Sequence, residues 1–137
     1  MGMIIPVQRF SKDNTDGLLK PIIYCCPYED SAVSLNLLLA EKLASCRSAR
    51  RTMQLESFFN QILSQLPDDV VIKDYDVMFN PDYKVDVLRI LTSARKRKAF
   101  SVIWLGRYED GKLFYAEEGC PDFKVFNIDE YDVTCII

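Results

Sequence analysis

Histidine is absent from the 137-residue chain, which excludes imidazole acid–base chemistry, Ser–His and Cys–His hydrolase arrangements and His-ligated metal centres together. The groups left with chemistry are thiols, carboxylates and basic side chains. The five cysteines, at 25, 26, 46, 120 and 135, have no C-x-x-C spacing, a pattern that fits neither a secreted disulfide framework nor a zinc site. A thiolate at Cys25 or Cys26 would be nucleophilic if a helix N-terminus lowered its pKa. Glu29 and Asp30 act the other way, and cysteines in an apolar run read as small hydrophobes. No catalytic residue, metal ligand set or cofactor is expected.

Asp74 and Asp76 follow the apolar residues Val70-Val71-Ile72. Hard oxygen ligands at a strand end can chelate Mg²⁺; the simpler reading is that they cap the next turn or lie in solvent. Basic side chains cluster at Arg47, Arg50 and Arg51 and again at Arg95, Lys96, Arg97 and Lys98, together seven of the 17 Lys and Arg residues. Such clusters can contact a nucleic-acid backbone or an acidic protein surface. Both also fall at or just after the end of an expected helix, where positive charge is favoured anyway.

The elements that must position these groups are those of an α/β fold. Residues 22–26, 69–72 and 99–105 are apolar runs of strand length, and 123–128 and 132–137 offer one further strand each. A helix is expected from Asp30 or Ser31 to about Ser45, with Val33, Leu37, Leu38, Ala40, Glu41 and Ala44 at helical spacing. A second covers 53–66, where Met53, Leu55, Phe58, Phe59, Ile62, Leu63 and Leu66 share a wide face until Pro67 stops it. A third covers 82–96. Asp110-Gly111 marks a hairpin turn, and residues 1–20 read as an irregular lead-in with a helical turn near 15–20. This order implies right-handed crossovers, hence one three-layer α/β/α domain over 1–137 with a mostly parallel sheet and a C-terminal β-hairpin.

An apolar strand, a tight turn and a helix, followed about 40 residues later by an apolar strand ending in acids, make the skeleton of P-loop nucleoside triphosphatases. The second half is more specific. Phe79-Asn80-Pro81, Trp104-Leu105-Gly106-Arg107 and Leu113-Phe114-Tyr115-Ala116-Glu117, in that order, resemble the small P-loop protein of BREX phage-defence systems. The likeness covers 20–137 as an order of elements and about 70–125 in motifs. It implies a P-loop-NTPase-like sheet, a phosphate loop at Cys26, Pro27, Tyr28, Glu29, Asp30, Ser31, Ala32 and Val33, a metal-associated Asp closing the second strand, and a nucleotide sensor at Arg107.

The departures from that family are as informative. A phosphate loop needs G-x-x-x-x-G-K-[ST], because glycines let backbone N–H groups face the phosphates and the Lys neutralises their charge. The turn here has no Gly, no Lys and no closing hydroxyl. Glu29 and Asp30 would each repel phosphate by on the order of 1 kcal/mol. The metal-associated position falls on Lys73, and Asp74 or Asp76 reach it only after a shift.

The resemblance and its defects together imply a non-catalytic component of a BREX-like defence system that acts through other protein subunits. Two alternatives stay open: a divergent ATPase subunit whose active site a partner completes, and a nucleic-acid-binding adaptor. Net charge is −3, with 15 basic against 12 acidic residues over 1–107 and 2 against 8 over 108–137, a basic-clustered body with an acidic tail that points to partners. The 49% apolar and 27% charged composition suits a globular domain. No leader-like or 18-residue apolar stretch occurs, so a cytoplasmic protein with reduced thiols and no membrane partner is expected.

Overall fold

The computed structural model describes residues 1–137. Along the chain run β1 (Met3–Ile5), β2 (Ile22–Tyr24), β3 (Val33–Ser34), α1 (Asn36–Ala44), α2 (Arg51–Ser64), β4 (Val70–Lys73), α3 (Val87–Arg95), β5 (Phe100–Ile103), β6 (Arg107–Glu109), β7 (Lys112–Tyr115), β8 (Lys124–Asn127) and β9 (Thr134–Ile136). Six strands form one sheet in the order β1-β9-β2-β5-β4-β3, every neighbouring pair parallel. Strands β6, β7 and β8 form a separate antiparallel sheet.

The strand order decides what covers each face. The connections β1→β2 and β2→β3 run toward the β3 edge, whereas β3→β4, β4→β5 and β5→β9 run back. Right-handed crossovers in opposite directions lie on opposite faces. Accordingly α1, α2, α3 and the small sheet share one core with Ile23, Ile72, Phe100, Val102 and Cys135. The other face presents Ile22, Tyr24, Val71 and Ile136, covered by Phe10, Leu18 and Tyr28 from the two N-terminal connections. The three layers are therefore helices with the small sheet, the parallel sheet, and a layer without α-helices.

Several expectations are corrected in detail. Helix α1 begins at Asn36, not at Asp30 or Ser31, because Val33 and Ser34 pair as an edge strand with Ile72 and Lys73. The Leu35 N–H continues that ladder by donating to the Lys73 carbonyl at 3.1 Å. The helix then buries Leu35, Leu39 and Leu43 rather than the stripe through Leu37, which is 70% exposed. Helix α2 buries Leu55, Phe59, Ile62 and Leu63 as the periodicity predicts, but leaves Met53 79% exposed. Helix α3 starts at Val87, later than 82, since Asp86 is its cap and accepts the Arg89 N–H at 3.0 Å. In the lead-in, Met3–Ile5 pair with Thr134–Ile136, and the helical turn lies at Val7–Arg9 instead of 15–20. At the hairpin, Asp110 (φ 50°) and Gly111 (φ 77°) both take the left-handed conformation that a tight two-residue turn requires. No helix is long and apolar enough to cross a membrane.

Candidate functional site

In open parallel α/β sheets, ligands sit beyond the carboxyl ends of the strands, where neighbouring strands send their connections to opposite faces. Here that point lies between β2 and β5, whose outgoing segments part to the two faces. The chain's own side chains fill it. Tyr75, fully buried, donates its hydroxyl to the Ile103 carbonyl at 3.0 Å. The Tyr115 hydroxyl donates to Asp76 Oδ1 at 3.0 Å, and Asn36 Nδ2 donates to Asp76 Oδ2 at 3.1 Å. Asn36 Oδ1 in turn accepts the Val77 N–H at 2.9 Å. Asp76 thus ties the start of α1 to the end of β4 and to β7.

An aromatic cluster backs this network. Phe79 stacks on Tyr115 with centroids 3.8 Å apart, and Trp104 and Phe126 meet Phe79 edge-on at 6.0 and 6.3 Å. Trp104 Nε1 donates to the Phe114 carbonyl at 2.9 Å. A Cβ on Gly106 would lie 1.8 Å from that same oxygen, so only glycine lets the chain pass there. Burial raises the Tyr75 and Tyr115 hydroxyl pKa values, and for Tyr115 the hydrogen bond to Asp76 adds to it. Both hydroxyls are neutral donors near pH 7.

The segment Cys26 to Val33 does not make a strand-to-helix turn. It crosses the face without α-helices to reach β3, so Ser31, Ala32 and Val33 do not begin a helix and their N–H groups form no cradle there. Tyr28 rests on Tyr24 at 4.7 Å, Asp30 is ion-paired to Lys12, and Pro27 and Glu29 are exposed. At the end of β4, Lys73 is exposed, Asp74 takes a φ of 49°, and Asp76 is bound as described. No three Cys, Asp or Glu side chains stand grouped as a metal would need. The Cys25 thiol is pushed up by a hydrogen bond with Cys135 and by burial, which keeps it protonated and un-nucleophilic. Every cysteine is a free thiol.

The basic clusters are each divided. Arg51 caps α1 by donating from Nε to the Leu43 carbonyl at 2.9 Å, while Arg47 and Arg50 are exposed. Lys98 turns back to the Leu66 carbonyl and to Asp68, and Arg97 borders the same polar cleft. Arg95 lines a different cleft, and Lys96 is exposed beside it. Arg107 lies 4.3 Å from the Phe114 ring and pairs with Glu109 and Glu117 at 3.7 and 3.9 Å, so its partners are all in the small sheet and its β7–β8 loop.

Sequence reasoning missed the Asn36–Asp76–Tyr115 link, whose members stand about forty residues apart and carry no local signature. It also missed the grouping of Phe10, Tyr24 and Tyr28. Alternation within β2 could have shown that Tyr24 faces away from Ile23. No family model, no curated protein and no solved structure matches this chain.

Proposed function

We propose that this chain is a non-catalytic, P-loop-like component of a BREX-like phage-defence system and acts by binding other protein subunits. The observation that carries this reading is the state of the carboxyl edge. Phe79, Trp104 and Tyr115, one from each of the three motifs behind the resemblance, meet there in an aromatic cluster that occupies the ligand crevice. The segment at the phosphate-loop position runs to an edge strand and brings two carboxylates, Glu29 and Asp30, in place of glycines and lysine. Such an edge supports assembly and opposes phosphate transfer.

Co-expression with the products of neighbouring genes tests it, the resemblance implying a large ATPase, a methyltransferase and an alkaline-phosphatase-like protein. The chain is expected to co-elute with at least one of them on size exclusion, and the Glu29→Gly/Asp30→Gly variant should assemble equally well. ATP hydrolysis by the chain alone or in that complex, abolished by Asp74→Ala or Asp76→Ala, would overturn the reading.

A further inference from the structure

The face without α-helices carries a cleft of about 330 Å³ near the amino ends of β2, β4 and β5, within the size range of small-molecule sites. Its floor is Ile22 and Val71, and its aromatic wall is Phe10, Tyr24 and Tyr28. Phe10 meets Tyr24 edge-on at 5.8 Å and Tyr28 tilts over Tyr24 at 4.7 Å. Lys12, 4.9 Å from the Tyr28 ring centroid and paired with Asp30, holds Tyr28 in place.

The lining also carries cations. Lys20 and Arg95 line this cleft and also the larger one of about 790 Å³ beside it, so they stand where the two meet. Neither has a carboxylate within 4.0 Å, a state they share with most Lys and Arg residues of the chain; what sets them apart is that both line this cleft. Both share the lining with the apolar floor and the aromatic wall. The lining also has an acceptor, Asp69, and the hydroxyls of Thr15 and Ser101. Burial pushes the Tyr24 hydroxyl up to about 12, so the aromatic wall carries no charge near pH 7.

We propose that this cleft binds a nucleoside phosphate, its ring against Tyr24 and Tyr28, its phosphate at Lys20 and Arg95, and its N–H or sugar hydroxyl donors toward Asp69. An aromatic wall alone would take any flat apolar molecule. The pair of unpaired cations selects an anion, and Asp69 selects one that also carries hydrogen-bond donors. The site lies on the opposite face from the connections that close the carboxyl edge, and it stands independently of the function proposed above.

Calorimetric titration of the full chain with the four ribonucleoside 5′-monophosphates tests the assignment, with adenosine and inorganic phosphate as comparators. At least one monophosphate should bind about tenfold more tightly than either comparator, a difference of about 1.4 kcal/mol. Lys20→Glu, Arg95→Glu and Tyr28→Ala should each weaken that binding by about tenfold or more. Arg97→Glu, outside the cleft, should leave it unchanged. Lys20 is only partly buried, so its variant carries the test if Tyr28→Ala fails to fold by circular dichroism. Absence of binding up to about 5 mM, or binding indifferent to Lys20→Glu and Arg95→Glu, would overturn the proposal. Binding abolished by Asp76→Ala but not by Lys20→Glu would place the ligand at the carboxyl edge and overturn this proposal.

Discussion

Phe79 and Tyr115 lie face to face, their ring centroids 3.8 Å apart and their planes 8° from parallel. One comes from the connection after β4 and the other from the middle strand of the small sheet, so this contact joins the two sheets. Phe79→Ala should destabilise the fold by about 3–5 kcal/mol through lost burial and the cavity left behind. Tyr115→Phe keeps the stack but removes the hydroxyl from Asp76, at a cost of about 1 kcal/mol. Urea unfolding of both variants checks the order; equal effects would mean that the hydrogen bond, and not the stack, holds the small sheet in place.

Gly106 sits where a methyl group would meet the Phe114 carbonyl oxygen at 1.8 Å. Backbone cannot swing aside as a side chain does, so Gly106→Ala must push β7 outward and disturb the Trp104 Nε1 hydrogen bond to the same oxygen. A loss of roughly 1–3 kcal/mol is expected, together with a change in Trp104 fluorescence. An unaltered emission spectrum and melting temperature would show that the turn has room to relax.

Stability should decline in alkali. The hydroxyl of Tyr24 has its pKa raised by burial from 10.0 to about 12, and Tyr75, Tyr115 and Tyr131 shift in the same direction. A raised folded-state pKa means that the folded chain holds its proton longer than the unfolded chain. The associated stability is complete below pH 10 and disappears as pH rises through the folded-state values. Tyrosinate absorbance should therefore rise together with unfolding above about pH 10, and Tyr24→Phe should flatten the slope between pH 10 and 12.

The thiols should separate by reactivity. Cys120 is exposed, whereas Cys135 is fully buried and Cys25 is partly buried. A disulfide reagent at neutral pH is expected to modify Cys120 first and to reach Cys135 only when the chain unfolds. Rapid labelling of Cys135 in the native protein would indicate that β9 opens locally.

Much of this architecture is legible in the sequence because its signals are local. Pro67 stops α2, Asp110-Gly111 makes the hairpin, and the apolar runs at 22–26, 69–72 and 99–105 underlie the neighbouring parallel strands β2, β4 and β5. The edge strands escape such reading. Val33 and Ser34 are too few for periodicity, and Met3–Ile5 become a strand only because β9 offers ladder partners 131 residues away. The same limit applies at the carboxyl edge. Asp76 reads as a metal ligand or a cap until Tyr115 and Asn36 arrive from other elements. Nor does the basic run at 95–98 reveal that Lys98 and Arg95 turn toward different clefts.

The position of β9 between β1 and β2 has a consequence for biosynthesis. The strand that joins them is made after all the others, so neither β1 nor this edge of β2 can acquire its parallel partner until residues 134–136 have left the ribosome. The helices, β4, β5 and the small sheet can assemble earlier, from contacts nearer in sequence. Strand β1 is therefore among the last to dock, and until then the nascent chain presents an unpaired β2 edge.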